Sequence, residues 1–178
     1  KAKNQFGENG HLYLVWGWVI LICSLLQFVL LNYVKYPNHE MVWMLTWVAV
    51  IYQFIYLYRN RKRVKVKTYT GDILTYVWLV FVVLLILNLL LISILLKGDS
   101  YKLINPIILS LYGMPTFLSG KVLRFTPLVT GGISCWILAL ASAFIPPQYH
   151  MLLIGIAVII AWIIPGYLLR KRYQIELA

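Results

Sequence analysis

A chain of 178 residues that is 62% hydrophobic, 15% aromatic and only 12% charged cannot clothe a water-soluble surface, which takes about a quarter charged residues. Its formal charge of +11 would suggest nucleic acid in a soluble domain. Here the basic residues fall between long apolar runs, so orientation in a bilayer accounts for them and nucleic-acid binding is not expected.

Lys1 stands where an initiator Met would be, as expected of a processed or trimmed chain. In the polar opening, Gly7-Glu8-Asn9-Gly10 predicts a break, because Gly and Asn take positive φ readily. The first predicted span covers 12–34, about 23 residues, enough for a hydrocarbon core of ~30 Å. It is too long for a signal peptide, and no small-residue cleavage site follows. Pro37 and Asn38 punctuate a turn before the second span, 40–58.

A basic loop then separates the halves of the hairpin pair: Arg59, Arg61, Lys62, Arg63, Lys65 and Lys67. Asp72 opens the third span, 72–96. The fourth, 103–119, carries Pro106, Gly113 and Pro115, which predict a kinked helix. The fifth, 125–145, has Pro127 in its first turn and Gly131-Gly132 inside. Pro146-Pro147 turns the chain into the sixth span, 150–169, which carries Pro165 near its end and closes on Arg170-Lys171-Arg172. The prediction is an all-α, polytopic integral membrane protein: one domain over 1–178, with six transmembrane helices in one bundle.

Charge orients the bundle. With the N-terminus in the cytoplasm, of 16 basic residues only Lys35, Lys97 and Lys102 face outward. The chain is therefore expected in the cell membrane, inner or plasma, with both termini cytoplasmic. Tyr13, Trp16, Trp18, Trp43 and Trp47 fall near span ends, where amphipathic rings favour the headgroup level. Trp136, near a span centre, reads as core packing.

Chemistry-bearing residues are sparse. Glu8, Glu40, Asp72, Asp99 and Glu176 all fall at span ends or in loops, whereas proton relays and coupled transport use ionisable groups within the membrane. Cys23 and Cys135 lie inside apolar runs without metal or disulfide spacing and read as small buried hydrophobes. His39, Glu40 and His150 share the outer face and would suit zinc by ligand type, but they lack motif spacing, so no metal and no cofactor is expected. Ser119 and His150 would make a serine–histidine dyad only if they met. They are predicted at opposite ends of their spans, ~30 Å apart, beyond the hydrogen-bond reach such a pair needs.

Gln27, Gln53, Asn88 and Thr116 are polar residues within spans. They serve either as interhelical hydrogen-bond partners or as the lining of a polar cavity. Gly113, Pro115, Gly131, Gly132 and Pro165 mark irregular helix positions, suited to close packing or to broken-helix binding sites. The basic loop is expected to meet anionic lipid headgroups, at about 1 kcal/mol per charge, or a protein partner.

The stretches Asn9-Gly10-His11-Leu12-Tyr13-Leu14-Val15-Trp16-Gly17-Trp18 and Leu118-Ser119-Gly120-Lys121-Val122-Leu123-Arg124-Phe125-Thr126-Pro127-Leu128-Val129-Thr130-Gly131-Gly132 together resemble a group of small, uncharacterised bacterial integral membrane proteins with about six spans. The resemblance covers most of the chain. It implies the fold and no catalytic residues. The expected function is therefore non-enzymatic: a membrane scaffold, sensor or regulatory subunit, alone or with a second copy or another protein. A small transporter or channel is the alternative.

Overall fold

The computed structural model describes residues 3–61, 69–95 and 101–177. Lys62, Arg63, Lys65 and Lys67 of the basic loop lie outside the described residues. All described secondary structure is helical, as lipid demands of a chain whose backbone groups must pair internally.

Helix α1 (Lys3–Val29) ends in a π-helical turn, Leu30–Val34. A 3₁₀ turn, His39–Met44, leads into α2 (Leu45–Arg61). Then come α3 (Tyr69–Leu95), α4 (Tyr101–Val122) and α5 (Thr126–Ser142). A final long helix runs as α6 (His150–Val158), a π-helical segment Ile159–Ile163, and α7 (Ile164–Leu177). Among the described residues five helical stretches are long and apolar enough to cross a membrane; the apolar helix Thr126–Ser142 is shorter.

Four of these stretches make the core. α4 and α5 form a tight hairpin, α1 lies along α6 and α7, and α5 packs on the π-helical segment between them. Leu109, Leu128, Ile154 and Leu169 are fully buried there. α3 leans on α4 and α2 leans on α1. Only 6% of the α2 span and 11% of the α3 span is buried, against 56% of the last span. Large apolar side chains such as Trp47 and Phe54 of α2 therefore point outward, as expected where the solvent is hydrocarbon.

An aromatic cluster joins the layers. Tyr13 of α1 and Phe81 of α3 both meet Trp78 edge-on, with centroids at 5.7 and 5.6 Å. Trp78 in turn meets Trp162 at 5.9 Å, and Trp162 meets Tyr112 of α4 at 4.8 Å. Such pairs add roughly 0.5–1.5 kcal/mol each beyond area burial. Tyr13, expected at the headgroup level, is thus a core residue at 6% exposure.

Several expectations need correction. Gly7-Glu8-Asn9-Gly10 does not break the chain, because helix α1 runs through it from Lys3. Tertiary contact overrides the local tendency: a Cβ on Gly10 would lie 3.2 Å from the Gly166 carbonyl oxygen, so the residue lets α1 and α7 cross closely. α4 stays α-helical through Pro106 and Pro115. A π-helical segment lies just before Pro165, one of the positions expected to be irregular, where a missing N–H leaves the preceding turn to close in this way. The last helix continues past residue 169 to Leu177, carrying Arg170, Lys171 and Arg172 on an extra stretch of helix. Trp136 is 37% exposed, and its indole donates to the Ser110 carbonyl at 3.1 Å.

Candidate functional site

Gln27, Gln53, Asn88 and Thr116 have local hydrogen-bond partners. Gln53 of α2 accepts the Trp16 indole N–H of α1 at 2.6 Å. Toward the other end of the same helix pair the roles reverse, and Gln27 of α1 accepts the Trp43 indole N–H. With its oxygen so occupied, the Gln27 amide donates to His39 Nδ1 at 3.1 Å. Gln27 is 4% exposed, and an amide left bare at that depth would cost a few kcal/mol. The contact of α1 with α2 and with the 3₁₀ turn that leads into it is thus closed by two reciprocal indole–amide bonds.

Thr116 of α4 is fully buried. Its hydroxyl donates to the Tyr112 carbonyl at 2.7 Å and accepts the Trp162 indole N–H at 2.8 Å. Asn88 bonds along its own helix, to the Leu84 carbonyl at 2.8 Å. The four polar candidates Gln27, Gln53, Asn88 and Thr116 therefore sit at separate contacts and share no hydrogen bond. Ser119 is also buried; its hydroxyl lies near that of Tyr13 but outside hydrogen-bond geometry.

His150 is 2% exposed at the α5–α6 turn. Its Nε2–H is shared by the carbonyls of Ser142 and Ile145, each at 2.9 Å. The ring caps the end of α5 at the Ser142 carbonyl and the turn that follows at the Ile145 carbonyl. Its Nδ1 is buried without a partner. Glu40 is exposed in the 3₁₀ turn beside His39. Among the described residues no three His, Cys, Asp or Glu side chains gather so as to hold a metal ion. Ser119 and His150 are separated by the whole of α5, 17 residues or about 25 Å of helix.

The irregular positions make close contacts. A Cβ on Gly113 would meet the Trp136 indole at 2.3 Å, and one on Gly131 would come 2.7 Å from the Ala161 Cα. Pro115 and Pro165 are fully buried. Small residues at these places let backbones approach, the usual basis of helix association in lipid.

Folding gathers cations at one end. His11 of α1 shares a hydrogen bond with Tyr52 of α2 at 2.8 Å and packs on Tyr56, its centroid at 5.0 Å. This brings the α2 terminus carrying Arg59 and Arg61 to the start of α1. Gly10 at that start abuts Gly166 and the Arg170 backbone. The α4–α5 turn, with Lys121 and Arg124, lies at the same end: Phe125 and Pro127 share a groove with Lys171 and Arg172. The His11–Tyr52–Tyr56 group and this groove escaped the sequence reading. The groove had a legible signal in Leu168, Lys171, Arg172 and Ile175, which recur at i, i+3, i+4 and i+7. Comparison with known protein families, curated proteins and solved structures finds no match.

Proposed function

We propose that this protein is a non-catalytic membrane scaffold or regulatory subunit, acting through its spans and a basic cytoplasmic face. One observation carries the reading: three of the polar groups of the spans are consumed pairwise in helix contacts, in Trp16–Gln53, Trp43–Gln27 and Trp162–Thr116. A transport path needs such groups to face a shared aqueous route. Orientation follows the charges, with Arg59, Lys121, Arg124, Arg170, Lys171 and Arg172 inside. The sparsely buried α2 and α3 supply apolar faces for lipid, a second copy or a partner protein.

Two measurements test this. Purified protein in liposomes should leave ion and small-solute permeability at the protein-free level; flux that disappears in Gln27→Leu would establish transport and defeat the scaffold reading. In intact vesicles carrying Cys23→Ala and Cys135→Ala, a cysteine at Gln174 should label only from the cytoplasmic side. One at Asn38 should label only from the opposite side, and the reverse pattern would invert the map.

A further inference from the structure

We infer that the groove between α7 and the α4–α5 turn is a binding site for one anionic phospholipid. The groove is open, encloses about 400 Å³, and is lined by Phe125, Pro127, Leu168, Lys171, Arg172 and Ile175. It deepens the membrane-scaffold reading and rests on it, because it places a lipid headgroup at the basic end of the bundle.

The geometry comes from one helix face. Leu168, Lys171, Arg172 and Ile175 are spaced three, one and three residues apart, so α7 presents them as a single stripe. Along that stripe the order is apolar, two cations, apolar. Leu168 and Ile175 are 42% and 67% exposed, so Leu168 offers acyl chains apolar surface on the membrane side of the charge, while Ile175 lies on the headgroup side. Phe125, 8% exposed, and Pro127 form the facing wall. Phe125 is fixed there because its backbone N–H bonds back to the Gly120 carbonyl at 2.8 Å.

The chemistry selects the occupant. Among the described residues no carboxylate lines the groove. Lys171 and Arg172 sit about one helical turn, ~5 Å, beyond Leu168, the offset between the top of an acyl chain and its phosphate. Arg and Lys suit phosphate as fork and point charge respectively. Lys121 and Arg124 on the adjoining turn add to the positive field. A zwitterionic headgroup would bring its ammonium into the same field and lose the advantage. Basic pockets between spans at the cytoplasmic side take anionic headgroups by this logic.

The test uses the full chain in neutral detergent, with equimolar phosphatidylglycerol and phosphatidylethanolamine, read by native mass spectrometry. Retention of phosphatidylglycerol should exceed that of phosphatidylethanolamine by about 30-fold, the product of two juxtamembrane charges. Lys171→Gln with Arg172→Gln should abolish the preference, whereas Lys35→Gln at the opposite end should keep it. Ile175→Glu, at an exposed position that folding does not need, should also weaken retention. Equal retention of both lipids by the native protein would overturn the site, as would a preference unchanged in the double variant. Inorganic phosphate raising the melting temperature as much as phosphatidylglycerol would overturn it too, by making the acyl chain irrelevant. Detergent binding does not depend on orientation, so failure here leaves the labelling of Asn38 and Gln174 to judge the topology separately.

Discussion

Gly132 of α5 lies so close to Gly113 of α4 that a Cβ added to it would come within 2.8 Å of the Gly113 carbonyl oxygen, and within 2.7 Å of the Phe117 backbone nitrogen. Backbone, not a movable side chain, fills the space. Gly132→Val should therefore force the α4–α5 hairpin apart and cost about 3 kcal/mol or more. Gly155→Ala meets only Leu21 and Ser24 side chains at 3.3 Å and should be near neutral. Thermal unfolding in detergent, with the yield of monodisperse protein, separates the two; equal behaviour would show that the hairpin contact does not hold the fold.

The α1–α2 pair depends on Trp16 and Gln53, 2.6 Å apart. Interhelical hydrogen bonds in membranes contribute about 0.6 kcal/mol on average and up to about 1.7. A double-mutant cycle of Trp16→Phe and Gln53→Leu should give a coupling of about 1 kcal/mol. The two effects adding without coupling would mean that the helices are held by packing alone.

His150 should behave as a helix-end clamp. His150→Leu leaves the Ile145 carbonyl without this donor and the Ser142 carbonyl with only the Ile145 N–H at 3.4 Å, and should cost about 1–3 kcal/mol. His150→Gln, which keeps an N–H donor, should recover part of that. Melting temperatures of the two variants check this, and zinc added to the native protein should leave its melting temperature unchanged if the ring is committed to the carbonyls.

Arg124 has φ of 50° at the end of α4, where the Phe125 N–H reaches back to Gly120. This left-handed cap favours glycine. Arg124→Gly should therefore stabilise the protein by about 1 kcal/mol, while Arg124→Val should destabilise it by a similar amount or more. A lower melting temperature for the glycine variant would show that the arginine side chain itself supports the turn.

Much of the architecture was legible because lipid imposes simple rules. Long apolar runs between charged or proline-bearing turns had to be helices, and each predicted span overlaps an observed helix, although the fifth, Thr126–Ser142, is shorter than the five long enough to cross a membrane. Misreadings fell where local tendency and tertiary packing disagree. Gly7 to Gly10 looked like a break, since nothing in the sequence shows that α7 crosses there. α4 stays α-helical through Pro115, and a π-helical turn sits before Pro165, a position the sequence had marked as irregular.

The side-chain chemistry was less legible. Gln27, Gln53, Asn88 and Thr116 could be picked out as polar residues in apolar surroundings. Their partners could not, since Trp16 and Gln53 are 37 residues apart and Thr116 and Trp162 are 46 apart. An indole placed near a span end reads as an interfacial anchor whether or not an amide waits opposite it.

Composition and spacing alone determined that this is an all-α chain whose natural solvent is lipid, because transfer of each apolar run into hydrocarbon depends on that run's own residues. Tertiary structure alone decided which helices form the core, that Gln27, Gln53 and Thr116 are spent in pairs with indoles, and that Leu168, Lys171 and Arg172 face Phe125 across a groove. Those outcomes depend on distances between residues far apart in the chain, set by how closely glycine lets helices approach, and a linear pattern carries no such distances.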